Sequence, residues 1–131
     1  MIDERIFNRY QTSHLGIEVI FPSLKGAHYY LENASLNGIQ IYGEGKIVTQ
    51  DYNQILIKLS SKETFYTNVF QVWREDEVDL SKIKDLPIAK HFKNDPFRTG
   101  LKLKFVEKEH YQKWLKFITA LHTIHIKKSK G

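Results

Sequence analysis

Planar, forked recognition of a phosphate or a guanine edge is work for arginine, and this 131-residue chain has only four: Arg5, Arg9, Arg74 and Arg98. Two of them stand four residues apart near the start, in Arg5-Ile6-Phe7-Asn8-Arg9. A second cluster, Asn33-Ala34-Ser35-Leu36-Asn37-Gly38, gathers an amide, a hydroxyl and a glycine. Taken alone, Asn33 and Ser35 suit a turn closed by side-chain to backbone bonds, and Gly38 suits a positive φ. Arg5 and Arg9 alone suit a solvated terminus.

Other chemistries find no complete set of actors. The chain has no cysteine, which removes disulfides, thiol catalysis and thiolate zinc sites together. Among six histidines, His122 and His125 lie three apart and His110 twelve residues upstream, with no carboxylate or third histidine beside the pair. That spacing suits helix-end histidines facing backbone carbonyls and the dipole rather than a metal site. No serine sits in a Gly-x-Ser-x-Gly elbow, and Glu75-Asp76-Glu77 lies in a polar stretch with nothing apolar to raise a carboxyl pKa. Gly43 and Gly45 are not followed by a third glycine or a helix, so no phosphate loop is present. The expectation is a binding protein without a catalytic or metal site.

Those residues need a scaffold, and the chain is long enough for one domain. Hydrophobic residues make up 41% and charged residues 27%, a globular composition that affords a core. The formal net charge of +5 favours an anionic partner. No run of about 18 apolar residues occurs, and Met1-Ile2-Asp3-Glu4-Arg5 places acids where a signal peptide would want bases. A cytoplasmic protein without membrane insertion is expected.

The pattern along the chain is mostly β. After an arm ending at Gly16, apolar and β-branched runs at Ile17–Phe21 and His28–Glu32 flank turn residues Pro22, Ser23, Lys25 and Gly26. Gly38–Tyr42 alternates, Ile55, Ile57 and Leu59 share a face, and Phe65–Trp73 is a long aromatic and β-branched stretch. Leu101, Leu103 and Phe105 alternate with Lys102 and Lys104, the mark of a half-buried strand. Only the end changes period: Tyr111, Trp114, Leu115, Ile118, Leu121 and His122 give an amphipathic helix over 108–122. Five or six short strands and one terminal helix predict an antiparallel barrel or sandwich closed by that helix. Residues 75–99, with Pro87 and Pro96, interrupt the plan as a long loop, either a solvated excursion or a short helix over 82–86 capped by Ser81.

Taken with this strand plan, the two clusters make the chain resemble the PilZ domain family over nearly its whole length. The points of likeness are the RxxxR arm at Arg5 and Arg9, the (D/N)xSxxG motif at Asn33, Ser35 and Gly38, the strand ending in Val72-Trp73-Arg74, and the final strand Gly100–Phe105. The resemblance implies an all-β fold, a six-stranded antiparallel PilZ-type β-barrel with a C-terminal amphipathic α-helix. It implies a single domain over 1–131, with an arm at 1–16, a barrel at 17–106 containing the 75–99 loop, a helix at 107–126 and a basic tail at 127–131. It also implies a receptor for the bacterial messenger cyclic di-GMP, with Arg5, Arg9, Asn33, Ser35 and Gly38 as ligand-binding residues and no cofactor besides that ligand.

The implied ligand carries two phosphodiester charges and two guanines. Arg5 and Arg9 suit either group, and in an extended arm both point the same way about 13 Å apart. Asn33 offers a donor and an acceptor, Ser35 a hydroxyl, and Gly38 a backbone without a side chain in the way. An arm loosely held without ligand and clamped by it would change the surface that a downstream protein partner reads. Glu4, where many relatives carry arginine, favours one ligand per chain, and asparagine at position 33 in place of aspartate is expected to leave binding intact. Trp73 suits the barrel core or rim better than a guanine stack. The alternative is a degenerate PilZ domain that serves only as a protein-interaction module. A single-stranded nucleic-acid barrel, supported by Lys127, Lys128, Lys130, Lys102 and Lys104, is disfavoured because the lysine tail suits a solubilising terminus.

Overall fold

The computed structural model describes residues 8–22, 28–44, 53–59, 63–75 and 77–130. Arg5, with Glu4, Ile6 and Phe7, lies outside the described residues, as do Ser23, Lys25, Gly26, Gly45, Asp51 and Asp76. Among the described residues seven strands precede one α-helix: β1 (Tyr10–Gln11), β2 (Glu18–Ile20), β3 (His28–Ala34), β4 (Gly38–Glu44), β5 (Asn53–Lys58), β6 (Thr64–Glu75), β7 (Phe97–Lys104) and α1 (Lys108–Lys130). All pairings are antiparallel, and six strands close on themselves in the order β2-β5-β6-β7-β4-β3 and back to β2. Closure removes the open edges that a sheet of this size would otherwise have to protect. The two-residue β1 adds a short rung to β3, with Tyr10 opposite Ala34 and Gln11 opposite Asn33.

Period-two alternation fills the barrel. Leu31, Ile39, Ile41, Ile55, Ile57 and Leu101 are buried inside, whereas Lys102 and Lys104 face water from the strand that carries Leu101 and Leu103. Helix α1 covers one end with Trp114 and Ile118, both fully buried, and the Trp114 ring packs against Phe65, Phe105 and Phe117. Its indole Nε1 donates to the backbone carbonyls of Ser35 (3.2 Å) and Leu36 (3.1 Å). The polar edge of the ring thereby satisfies two carbonyls of a turn that would otherwise be buried without partners.

Three details differ from the sequence reading. The helix does not stop at 126: it runs to Lys130, so the basic tail continues it, and His122 and His125 stand within the helix instead of at its end. Both rings meet Tyr10 edge-on, and the Tyr10 hydroxyl lies 2.6 Å from His122 Nδ1. The arm is docked from Tyr10 onward, because Tyr10, Thr12, Ser13 and Ile17 are buried, and the Ser13–Leu15 3-10 turn ends at Gly16 with φ 64°. The 75–99 loop is neither a purely solvated excursion nor a helix capped by Ser81, since most of its polar residues face water while four of its apolar ones are buried. Two 3-10 turns, Leu80–Lys82 and Pro87–His91, are embedded in it, and Asp79 caps the first by accepting from the Ser81 N–H. Val78, Ile83, Ile88 and Phe92 bury themselves with Tyr42 in a second hydrophobic cluster against the outer face of β3 and β4.

Candidate functional site

The Asn33–Gly38 segment is the β3–β4 connection, and its local bonds explain its residue types. The Ser35 N–H donates to the Gly38 carbonyl at 2.8 Å, and the one hydroxyl proton of Ser35 is shared between that carbonyl (3.2 Å) and Asn37 Oδ1 (3.1 Å). Gly38 does not have the positive φ that a turn reading suggests, since Gly16 alone among the described glycines does. Its requirement is space. A Cβ there would meet the Leu101 carbonyl oxygen at 3.1 Å, Arg9 Nη2 at 3.5 Å and Ser35 Oγ at 3.7 Å.

Arg9 crosses to this turn from the arm. Its Nη1 donates to Asn33 Oδ1 at 3.2 Å, and the residue is otherwise exposed. Arg9, Asn33, Ser35 and Gly38 are therefore brought together at one rim of the barrel. Arg9 and Gly38 line an open groove of about 260 Å³ together with Val72, Trp73, Gly100 and Lys102, among others, while Asn33 and Ser35 are buried beside them.

Two β-bulges shape this rim. In β3 the register against β4 shifts between Leu31 and Asn33, which makes Glu32 the extra residue. Neighbouring strand residues normally point to opposite faces, but the bulge turns Glu32 and Asn33 toward each other, and Asn33 Nδ2 donates to Glu32 Oε1 at 3.0 Å. In β6 the shift falls between Gln71 and Trp73, leaving Val72 as the extra, exposed residue and seating Trp73 opposite Gly100. A side chain at Gly100 would collide with the Trp73 ring, so this glycine is what allows the half-buried indole to lie flat on the rim.

Sequence reasoning missed the group beneath Asn33. Glu32 is only 5% exposed, and Arg98 forks onto it, Nε donating to its two oxygens at 3.1 and 2.8 Å and Nη2 at 2.6 Å. Arg98 Nη2 also donates to Gln40 Oε1 at 3.0 Å, and the guanidinium lies 5.2 Å from the Trp73 ring centre and 5.9 Å from that of Tyr42. The hydrogen bonds to Glu32 hold the Arg98 pKa above its ordinary value. Burial, followed by the hydrogen bond to Glu32, pushes the Tyr42 hydroxyl up as well. The scarcity of arginine was the one available signal for Arg98. Glu32 and Gln40 join through a bulge and a cross-strand rung, which leave no local mark.

Electrostatically, Glu32 and Arg98 cancel, whereas Arg9 and Lys102 bring positive charge to the groove walls, with no carboxylate among the described residues that line them. The rim is thus an anion-accepting surface with the Trp73 ring and the Asn37 amide around a bare stretch of backbone at Gly38 and Gly100.

No protein-family model matches the chain, and no curated protein matches it. Among solved structures, the PilZ domain with c-di-GMP of YcgR from Escherichia coli matches with a TM-score of 0.61 over 94% of this chain and 95% of that one, at 13% identity. The fold is therefore of the PilZ type, a six-stranded antiparallel barrel with a C-terminal helix.

Proposed function

We propose, from this barrel type and the groove on its rim, that the chain is a receptor for cyclic di-GMP. The observation that supports the reading is an open, positively charged groove lined by Arg9 and Gly38, with Asn33 bonded to Arg9 and the Ser35 hydroxyl bonded to the Gly38 carbonyl beside it. The solved YcgR domain of the same fold holds this nucleotide, which supports the choice of ligand. The guanidinium of Arg9, joined by Arg5 from the preceding segment, would grip phosphate or guanine oxygens, while the amide and hydroxyl read a base edge over Gly38. The role is binding, and the output is a changed surface for a downstream protein in the cytoplasm.

Because the chain is already docked from Tyr10 onward, the clamping part of the arm is the segment that leads into Tyr10. The whole of 1–131 then acts as one domain with the ligand between that segment and the rim. The test is isothermal titration with cyclic di-GMP beside linear GMP. Arg9→Ala should weaken binding about 10- to 100-fold, the worth of one or two charged hydrogen bonds. A folded wild-type protein that takes up no cyclic di-GMP would instead favour the interaction-module reading.

A further inference from the structure

We infer that Glu32 and Gln40 are positioning residues that lock the Asn33 amide in one orientation, so that in this chain asparagine is required at position 33 and aspartate cannot replace it. The inference deepens the proposed function and rests on it for the identity of the ligand.

The lock begins at Arg98. Its fork fixes the Glu32 carboxylate, and its remaining reach to Gln40 Oε1 fixes the Gln40 amide with its oxygen toward the site. Both oxygens then accept from the Asn33 amide nitrogen, Glu32 Oε1 at 3.0 Å and Gln40 Oε1 at 2.6 Å. An amide nitrogen has two hydrogens, and both are used. Turning the Asn33 amide over would place its oxygen against two oxygens with no hydrogen between them, in a place where Asn33 and Glu32 are each 5% exposed. An unsatisfied polar contact at such burial is strongly disfavoured.

Two consequences follow. Asn33 turns only Oδ1 toward Arg9 at the groove wall, an acceptor with a lone pair to spare beyond that bond, so where the arginine moves aside for a ligand it suits a base edge that donates, as the N1–H and amino edge of guanine does, and opposes one that presents an acceptor. Aspartate at this position would keep the Arg9 bond on one oxygen, but its other oxygen has no hydrogen to give and would face Glu32 Oε1 and Gln40 Oε1, so both donated bonds are lost and a second carboxylate stands beside Glu32. Adding Glu32→Gln to Asn33→Asp removes that conflict. The new amide at position 32 can accept from Arg98 and donate to the new carboxylate at position 33, and the summed charge of the two positions is unchanged.

The experiment compares wild type, Asn33→Asp, Glu32→Gln and the double variant by thermal melting and by titration with cyclic di-GMP and cyclic di-AMP. Asn33→Asp should lower the melting temperature and weaken cyclic di-GMP binding at least tenfold, and the double variant should recover most of both losses. An Asn33→Asp protein that melts and binds like wild type, or a double variant no better than Asn33→Asp, overturns the lock. In the wild type, nuclear magnetic resonance should find both Asn33 side-chain amide protons shifted downfield and slow to exchange; rapidly exchanging protons at random-coil shifts overturn it without any variant. If wild type takes up neither nucleotide, the ligand reading fails, whereas the melting and amide-proton measurements still decide the lock.

Discussion

Tyr29 shows how one hydroxyl can work against its own fold. The residue is fully buried between Phe21 and Phe97, and its hydroxyl meets no hydrogen-bond partner among the described residues. Burial pushes its pKa up to about 12, a shift that Arg74 partly opposes. A folded pKa above the unfolded value near 10 means that the linked stability is whole below about pH 10 and is lost as pH climbs toward 12. Tyr29→Phe should raise the melting temperature at pH 7, because an unmet hydroxyl costs about 1–3 kcal/mol, and should flatten the loss between pH 10 and 12. Melting curves at both pH values test this. Gly38→Ala should leave the melting temperature within a few degrees yet weaken cyclic di-GMP binding by about 1.4 kcal/mol, a tenfold loss by titration. The added methyl presses on the Leu101 carbonyl at 3.1 Å, which a shift of a few tenths of an ångström relieves, and it fills groove space beside Arg9 that the ligand would use.

Strands and loop differed in how far the sequence disclosed them, for a physical reason. Alternating Leu101, Lys102, Leu103 and Lys104 announce β7 because one of its faces meets water, but Phe97 to Gly100 extend the strand unannounced, since that part is covered on both sides. In the 75–99 loop the apolar residues Val78, Ile83, Ile88 and Phe92 follow neither a period of two nor one of 3.6, because they serve a patch on the barrel's outside and not a helix or strand face. Arg9, Asn33, Ser35 and Gly38 were legible as short motifs, whereas Glu32, Gln40 and Arg98 meet only after strands pair. The separate cluster under the loop predicts separate opening: Ile88→Ala should cost about 2–5 kcal/mol locally, seen as faster hydrogen exchange over 78–92 with the barrel strands still protected. Uniform acceleration across the barrel would show that the two clusters unfold together.

Taken entire, the protein is a closed barrel plugged at one end by α1, with the Asn33–Gly38 turn held from beneath by that plug and overlooked from β6 by the rim. Trp114→Phe removes the N–H shared by the Ser35 and Leu36 carbonyls, so it should cost about 1–3 kcal/mol in urea unfolding and loosen the turn at the same time. The only two tryptophans of the chain are one that lines the groove on the rim and one fully buried beneath the turn. The molecule therefore carries its own optical reporter. A nucleotide settling on the rim should quench the emission of Trp73, and Trp73→Phe should abolish that change while the deeper indole continues to emit, without any dye or label.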